Sequence, residues 1–69
     1  MKLANNLKAL RKERGLTQAA LAERVEVSRK TINTVENGVF VPSTLLALAL
    51  ARALETPVEE IFFLEEGSK

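Results

Sequence analysis

The stretch from residue 17 to residue 37, TQAALAERVEVSRKTINTVEN, contains one helix-start pattern twice. In each copy, a hydroxyl residue that can cap a helix follows one apolar residue and precedes another by four positions. The two copies are Leu16, Thr17 and Leu21, and Val27, Ser28 and Ile32. Each copy is a hydrophobic staple, which fixes the angle at which the chain enters a helix. The stretch therefore predicts two short helices, of about eight and about ten residues, joined by a turn of about three.

The second of these helices is apolar on one side and polar on the other. Ile32 and Val35 lie on the inner side at helical spacing. The outer side holds hydrogen-bonding residues, two of them cationic and none a carboxylate: Arg29, Lys30, Asn33, Thr34 and Asn37. A short helix with an apolar back and this polar front suits insertion into the major groove of DNA. The pattern therefore indicates double-stranded DNA as the partner.

Composition limits the other possibilities. With 69 residues the chain forms one small domain, near the lower limit at which a single apolar core holds a fold. It contains no cysteine, histidine or aspartate, which excludes disulfides and the usual zinc or iron ligand sets. Leucine and alanine dominate its apolar residues and favour helix over strand. We expect no metal site and no cofactor, and no small-molecule ligand is implied.

No segment of the sequence has the pattern of a signal peptide or of a membrane-spanning helix. The N-terminus lacks the continuous apolar stretch of a signal peptide. The strongly apolar run from Leu45 to Leu54 is about half of the roughly 20 residues that span a bilayer, so it is typical of a buried helix. The expectation is a cytoplasmic protein without a membrane partner.

The charges are unevenly distributed along the chain. Residues 1–30 contain eight Lys/Arg and three Glu, a net charge of +5, whereas residues 31–69 contain two Lys/Arg and six Glu, a net charge of −4. One end of the domain is thus suited to a polyanion. An ordinary solvated surface explains such asymmetry equally well. The asymmetry is informative because it coincides with the polar outer side of the second helix.

Further helices flank this pair. Leu3, Leu7 and Leu10 recur at helical spacing, and Gly15 ends that first helix. After the third helix, which Gly38 ends, residues 39–42 are extended because proline at position 42 keeps the preceding residue out of the helical region.

Two more helices complete the domain. Ser43 caps a fourth helix that closes at Glu55, and Thr56-Pro57-Val58-Glu59 has the pattern of a capping box with proline at the first helical position. The fifth helix then ends near Leu64, and residues 65–69 form a frayed tail. The sequence thus predicts an all-α fold of five helices and no strand, with residues 1–64 as one domain.

Helical spacing also predicts the core. Ala22 lies where the second and third helices cross closely, and a larger side chain there would overpack the contact at a cost of about 1–3 kcal/mol. The other residues expected to be buried are Leu7, Leu10, Leu21, Val25, Ile32, Val35, Leu50, Leu54, Ile61 and Phe62.

Three pieces of the chain match one known pattern in register. They are LKALRKERGLTQAALAERVEVSRKTINTVENG, then VPS, then ARALETPVEEIFF. Over nearly its whole length the chain therefore resembles the Cro/repressor-type helix-turn-helix family, also called lambda repressor-like or Xre. The resemblance implies a five-helix DNA-binding domain whose helices 2 and 3 form the helix-turn-helix, and dimeric operator recognition through helix 3.

The resemblance also implies roles for individual positions. The residues expected to face base edges are Ser28, Arg29, Lys30, Asn33 and Thr34. The residues expected beside the DNA backbone are Thr17, Gln18, Asn37, Gly38 and Arg11. Arg29 or Lys30 would suit the O6/N7 pair of guanine, and Asn33 the N6/N7 pair of adenine. Arg11 and Glu36 stand where the family often has a partly buried ion pair.

The chain departs from the family pattern at three positions. Glu26, in the turn between helices 2 and 3, and Glu55, after helix 4, replace glycines that usually adopt the left-handed conformation. A residue with a side chain costs about 1–2 kcal/mol there, which a well-packed domain tolerates. Val39 replaces a basic residue that often touches phosphate, so we expect weaker backbone contact on that side.

Helix 4 raises the question of self-association. It is apolar nearly all round, with Arg52 as its single charge, and such a helix needs cover on more than one side. Either helices 1 and 5 wrap it completely, or a second copy of the chain covers part of it. For a homodimer, the candidate interface residues are Phe40, Leu45, Phe63 and Leu64.

The sequence hypothesis is a sequence-specific DNA-binding transcriptional regulator, a dimeric repressor on an inverted-repeat operator. An antitoxin or a restriction–modification controller of the same fold stays open, because neighbouring genes rather than this sequence separate them. A protein-interaction adaptor would carry apolar or acidic residues on the outer side of helix 3, and this chain carries neither. An enzyme is not expected, because nothing supplies a nucleophile–base pair or a phosphate loop.

Overall fold

A computed structural model of the protein describes residues 1–66. It has the five predicted helices together with a two-stranded antiparallel sheet. The longest helix has 11 residues, and within the described range no helix combines the length and apolar content that crossing a bilayer needs. In chain order the elements are β1 (Lys2–Asn5), α1 (Leu7–Glu13), α2 (Gln18–Val25), α3 (Arg29–Glu36), α4 (Thr44–Leu54), α5 (Val58–Ile61) and β2 (Phe62–Glu65).

Three helices begin at the hydroxyl caps that the sequence predicts. The side chains of Thr17, Ser28 and Ser43 each accept a hydrogen bond from the backbone N–H three residues on, at 3.0, 3.1 and 3.1 Å. Each bond satisfies one of the N–H groups that a helix leaves unpaired at its first turn. The starts of α2, α3 and α4 are therefore fixed by local chemistry.

The turns after α2 and α4 contain the two predicted left-handed residues. Glu26 has φ 62° and ψ 45°, and Glu55 has φ 53° and ψ 44°. Glycine adopts this region without steric cost, whereas a residue with a Cβ is strained there. The prediction that these glutamates occupy glycine-like positions is confirmed.

The core lies where α1, α2, α3, α4 and α5 meet. Its buried residues are Leu7, Leu21, Ala22, Ile32, Val35, Leu46, Leu50, Leu54 and Ile61. Three residues expected in the core, Leu10, Val25 and Phe62, are instead partly buried and packed against its edge. The sequence analysis missed Leu46, which lies one helical turn before Leu50 on the same inner stripe of α4.

The prediction of a fold without strands is wrong at both termini. β1 and β2 pair antiparallel, with Lys2 opposite Glu65 and Leu3 opposite Leu64. Leu3 therefore belongs to a strand rather than to helix 1, and α5 ends at Ile61 rather than near Leu64. Glu65, predicted to begin the tail, is instead paired in β2, and residues 67–69 of the predicted tail lie outside the described residues. Each strand pairs with one near the other end of the chain, a separation that local periodicity does not detect.

Asparagines make the junction between the sheet and α1. The backbone N–H of Asn6 donates to the carbonyl of Ile61 at 2.9 Å, which continues the strand pairing. The Asn5 side-chain oxygen then accepts from the N–H of Leu7 at 3.0 Å, so the first turn of α1 gains a partner. Helix α1 consequently begins at Leu7, four residues later than the leucine spacing predicted.

The capping box predicted at the start of α5 is not formed. The hydroxyl of Thr56 is buried and donates to the carbonyl of Leu54 at 2.9 Å, instead of accepting from the first turn of α5. The guanidinium of Arg14 donates to the same hydroxyl at 3.3 Å. Pro57 precedes the first helical residue and supplies no side-chain cap. The Thr56 hydroxyl is turned toward Leu54 and Arg14 instead of the first turn of α5, so no capping box forms.

Replacing Glu26 by glycine is expected to raise the free energy of unfolding by about 0.5–1 kcal/mol, because the relief of left-handed strain exceeds the greater chain entropy of glycine. Urea denaturation at fixed protein concentration measures the change. The matched control is Glu23→Gly in α2, where the backbone is helical and glycine should destabilise by about 1 kcal/mol. Equal losses in both variants would contradict the strain assigned to Glu26.

Candidate nucleic-acid interface

The turn between α2 and α3 is held by backbone hydrogen bonds. The N–H of Val27 donates to the carbonyl of Ala22 at 3.0 Å, and the N–H of Glu26 donates to that of Glu23 at 3.3 Å. Val27 is partly buried against the core, as the staple pattern requires. The direction in which α3 leaves the turn is therefore set by hydrogen bonds on one side and apolar packing on the other.

Helix α3 has the two sides that the sequence predicts. Ile32 and Val35 are completely buried, at 0% and 1% exposure. The outer face of α3 consists of Ser28, Arg29, Lys30, Asn33, Thr34 and Asn37. Five of these residues are exposed, and Thr34 is half-buried. Nothing in the described part of the chain covers this face, so it is available to a macromolecule in the isolated chain.

The cations on this face are not neutralised within the described residues. Neither Arg29 nor Lys30 forms a salt bridge with any of residues 1–66. Their charge is therefore directed to solvent, where it attracts a polyanion and is screened by salt over about 10 Å at 0.1 M.

The hydroxyls of the outer face are largely used within the helix. The Ser28 hydroxyl caps α3 and lies 3.0 Å from the hydroxyl of Thr31, and the hydroxyl of Thr34 donates to the carbonyl of Thr31 at 3.0 Å. Ser28 and Thr34 are thus weaker candidates for base contact than the longer side chains beside them. Asn33 differs, because its side-chain nitrogen has no hydrogen-bond partner among the described residues.

The residues predicted to lie beside the DNA backbone occupy two helix ends. Thr17 and Gln18 begin α2, and Asn37 and Gly38 follow the end of α3. Asn37 and Gly38 are exposed, and Gly38 has φ 75°, which lets the chain turn away after α3. Gln18 is half-buried, and its side-chain nitrogen donates to a carboxylate oxygen of Glu36 at 3.0 Å.

Arg11 does not fit its predicted role beside the DNA backbone. Its side chain is only 8% exposed, and its guanidinium donates through Nε and Nη2 to Glu36 and through Nη1 to the carbonyl of Leu16, the last at 2.8 Å. With its side chain buried and three N–H groups bonded inside the protein, Arg11 is placed for a structural role. The predicted ion pair with Glu36 is present.

The Arg11–Glu36 pair joins three helices. The Glu36 side chain, 2% exposed, accepts from Arg11 on α1 and from Gln18 at the start of α2, and its own backbone forms the last turn of α3. Buried side-chain polar atoms without a partner are absent from residues 1–66. A buried charge needs this complete set of partners, because an isolated one is strongly unfavourable.

The sequence analysis missed one residue that supports α3. The side-chain nitrogen of Asn5 donates to the carbonyl of Val35 at 3.0 Å, so β1 holds the last turn of α3. Asparagine at the end of an unpredicted strand gave no signal for this contact. Only the tertiary fold brings residues 5 and 35 together.

Apolar side chains are exposed in two regions outside the outer face of α3. Phe40 and Leu45 belong to the loop before α4 and to its first turn, and Leu45 is 80% exposed. Phe63 and Leu64 lie on β2, the latter 63% exposed. Leu48 on α4 is also exposed, although the sequence analysis did not name it. The rest of the described chain therefore does not wrap α4 completely.

Comparison with known proteins agrees with this geometry. Residues 7–61 match the family model described as helix-turn-helix, a span that runs from the start of α1 to the end of α5. An HTH-type transcriptional regulator of Methanothermobacter thermautotrophicus is 54% identical over 61 residues, which cover 86% of this chain and 88% of the relative. YgzD of Bacillus subtilis, also named as an HTH-type transcriptional regulator, is 42% identical over 64 residues, covering 93% of this chain and 97% of YgzD.

A solved structure is similar in both fold and sequence. It is the restriction-modification controller protein C.AhdI from Aeromonas hydrophila, which superposes with a TM-score of 0.74 at 35% identity and covers 78% of this chain and 82% of its own.

Replacing Glu36 by alanine is expected to lower the free energy of unfolding by about 3–5 kcal/mol, because it leaves the Arg11 guanidinium buried without its carboxylate. Urea denaturation at fixed protein concentration measures the loss. A variant that is already unfolded without urea would indicate a loss larger than the total stability of the domain.

The matched control removes both charges together, as R11M/E36L. We expect the double variant to be folded and to lose at most about 1–2 kcal/mol, because no charge is left unpaired. A double variant no more stable than the single variant would contradict the role given to this pair.

Proposed function

This chain belongs to the helix-turn-helix family of DNA-binding transcriptional regulators, and on that premise we propose that it is a dimeric, sequence-specific repressor. The observation that carries the proposal is the outer face of α3, which is exposed, cationic and free of carboxylates. Its apolar side is buried at Ile32 and Val35, so the helix is firmly seated while its polar side stays available. A helix presented in this way fits the width of the major groove.

Base contact is assigned to the longest free side chains on the outer face of α3. The guanidinium of Arg29 or the ammonium of Lys30 donates to O6 and N7 of a guanine, and the amide of Asn33 matches N6 and N7 of an adenine. Ser28 and Thr34 contribute less, because their hydroxyls already bond within α3. Specificity in this proposal therefore depends chiefly on three residues.

Backbone contact is assigned to the start of α2 and the end of α3. Thr17 and Gln18 place the N-terminal amides of α2 near a phosphate, where the helix dipole favours an anion. Glu36 holds the Gln18 side chain at 3.0 Å, which leaves its second N–H for an outside acceptor. Asn37 and Gly38, both exposed, lie beside the backbone at the other end of α3.

Dimerisation is supported by the exposed apolar surface. Large apolar side chains are exposed before and at the start of α4, at Phe40 and Leu45, and on β2, at Phe63 and Leu64. Burial of these side chains by a second copy would lower the free energy of the pair. Two copies related by a twofold axis place their α3 helices in successive major grooves, about 34 Å apart, on an inverted repeat. Such a dimer represses by occupying a promoter against polymerase, in the cytoplasm and without catalysis.

A restriction–modification controller is the second candidate, because C.AhdI bears that title and is 35% identical to this chain. Both candidates use the same DNA-binding surface and differ only in the genes they regulate, as does an antitoxin of the same fold. A protein-interaction adaptor that does not bind DNA is the alternative from a different class of function. The uncovered cations at Arg29 and Lys30 favour DNA over that alternative.

Binding to duplex DNA is the direct test. We expect the protein to bind random duplex at low salt, and the affinity to fall steeply as salt rises because phosphate contacts release counterions. Arg29→Ala should reduce the preference for one G·C pair by about tenfold, the range of one bidentate contact. Gln18→Ala should weaken binding to all sequences in the same proportion. Fluorescence anisotropy with a selected site and its single-base variants measures both effects.

The matched control is Arg14→Ala, which removes an equal charge from a side chain turned toward Thr56 and Glu55. It should leave the base preference unchanged. Absence of any duplex binding at low salt would overturn the proposed function.

The dimer is tested separately by Leu45→Glu and Leu64→Glu. Each places a charge among apolar contacts, and we expect the dimer dissociation constant to rise by about tenfold or more. Analytical ultracentrifugation measures the association. Ala9→Glu adds the same charge to an exposed site of α1 outside the candidate residues and should have no effect. A wild-type chain that stays monomeric at high micromolar concentration would contradict the dimer.

A further inference from the structure

Two asparagines on the outer face of α3 are hydrogen-bonded to each other, and we propose that Asn37 is a positioning residue that orients the Asn33 amide for adenine. The side-chain nitrogen of Asn37 lies 3.3 Å from the side-chain oxygen of Asn33. The inference rests on the proposed function and deepens it. It assigns the Asn37 side chain to base discrimination and leaves backbone contact at this end of α3 to the main chain of Asn37 and Gly38.

The bond fixes which end of the Asn33 amide faces which way. The two residues are one helical turn apart, so their side chains lie side by side on the same face. With its oxygen directed toward Asn37, the planar amide of Asn33 turns its nitrogen to the other side. That nitrogen has no partner among residues 1–66 and is exposed together with the rest of the side chain.

The backbone at Asn37 is held in place by several hydrogen bonds at the end of α3. Its own N–H donates to the carbonyl of Asn33 at 3.1 Å, and the N–H of Gly38 donates to that of Val35 at 3.1 Å. The side chain of Asn5 donates to the same Val35 carbonyl at 3.0 Å. The backbone of Asn37 is thus fixed relative to Asn33, and its short side chain reaches Asn33 from a fixed position one turn along the same face.

An oriented amide distinguishes the two purines. Adenine presents the N6 donor beside the N7 acceptor, whereas guanine presents acceptors at both O6 and N7. The oxygen of Asn33 has a second lone pair, so it accepts from N6 while its nitrogen donates to N7. Opposite guanine, the same orientation would bring that oxygen against O6, and rotation of the Asn33 amide alone to relieve the repulsion would break the bond to Asn37. Asn37 therefore adds to the preference for adenine without touching the base.

Direct phosphate contact by Asn37 is the competing explanation, and the two predict different patterns. A phosphate contact contributes equally to every sequence, so Asn37→Ala would weaken all duplexes alike and would add to the effect of Asn33→Ala. A positioning role acts only through Asn33. In that case N37A lowers the affinity at one base pair only, and its effect does not add to the effect of N33A.

The test is a double-mutant cycle on DNA with N33A, N37A and the double variant. A site is selected from a random duplex library, and affinities are measured for A·T and G·C at each position. We expect wild type to prefer A·T at one position by about tenfold or more, N33A to abolish that preference, and N37A to reduce it at least about threefold. The double variant should match N33A. Gln18→Ala, the control, should lower the A·T and G·C affinities in equal proportion.

A second readout needs no DNA and separates this inference from the proposed function. In the free protein, the side-chain amide of Asn33 should show a high NMR order parameter, which falls in N37A while the backbone of α3 is unchanged. A mobile Asn33 amide in wild type, or a uniform loss of affinity in N37A that adds to that of N33A, overturns the positioning role. If no duplex binds while the Asn33 amide is rigid, the proposed function and the adenine assignment are both wrong. Only the hydrogen bond between Asn33 and Asn37 is then confirmed.

Discussion

The carboxylate of Glu36 accepts from Arg11 on α1 and from Gln18 on α2, while its backbone belongs to the last turn of α3. Removing either the Arg11 or the Glu36 charge alone would leave the other charge buried and unpaired, which is strongly unfavourable. Any displacement of α3 relative to α1 or α2 would break that set of hydrogen bonds. The pair thus restricts α3 to one position, a constraint that apolar contacts alone enforce less strictly.

The constraint matters because α3 is short and its outer side contributes nothing to the core. A helix of eight residues is not stable by itself in water, so tertiary contacts have to maintain it. Ile32 and Val35 supply the apolar contacts, the Ser28 side chain caps the first turn, and Asn5 bonds the carbonyl of Val35 in the last turn. With these contacts on its inner side and at its ends, the outer face of α3 can remain polar and uncovered without loss of the helix. The same arrangement leaves Asn33 and Asn37 free to bond each other on the surface.

Features with a local cause could be predicted from the sequence. The caps at Thr17, Ser28 and Ser43 follow from hydroxyls before apolar runs, and the left-handed turn at Glu26 follows from its position in the helix-turn-helix pattern. The division of α3 into inner and outer sides follows from periodicity.

Among features that depend on distant contacts, the Arg11–Glu36 pair was predicted because the family resemblance implies it, whereas the others gave no signal in the sequence. Strands β1 and β2 each have four residues and pair across nearly the full length of the chain, so the spacing of Leu3 fitted a helix equally well. The hydroxyl of Thr56 bonds Leu54 and Arg14 instead of capping α5, and the guanidinium of Arg11, also expected beside DNA, is bonded inside the protein. Whether the predicted base-contacting residues touch DNA is a property of a complex and stays a prediction.

The most direct measurement of the central claim is an NMR titration of the labelled protein with duplex DNA at low salt. If the outer face of α3 is the DNA-binding surface, the largest amide shifts will fall on residues 28–37 and at the start of α2, with α4 and β2 changing little at constant oligomeric state. Shifts concentrated on α4 or β2, with residues 28–37 unchanged, would contradict the account.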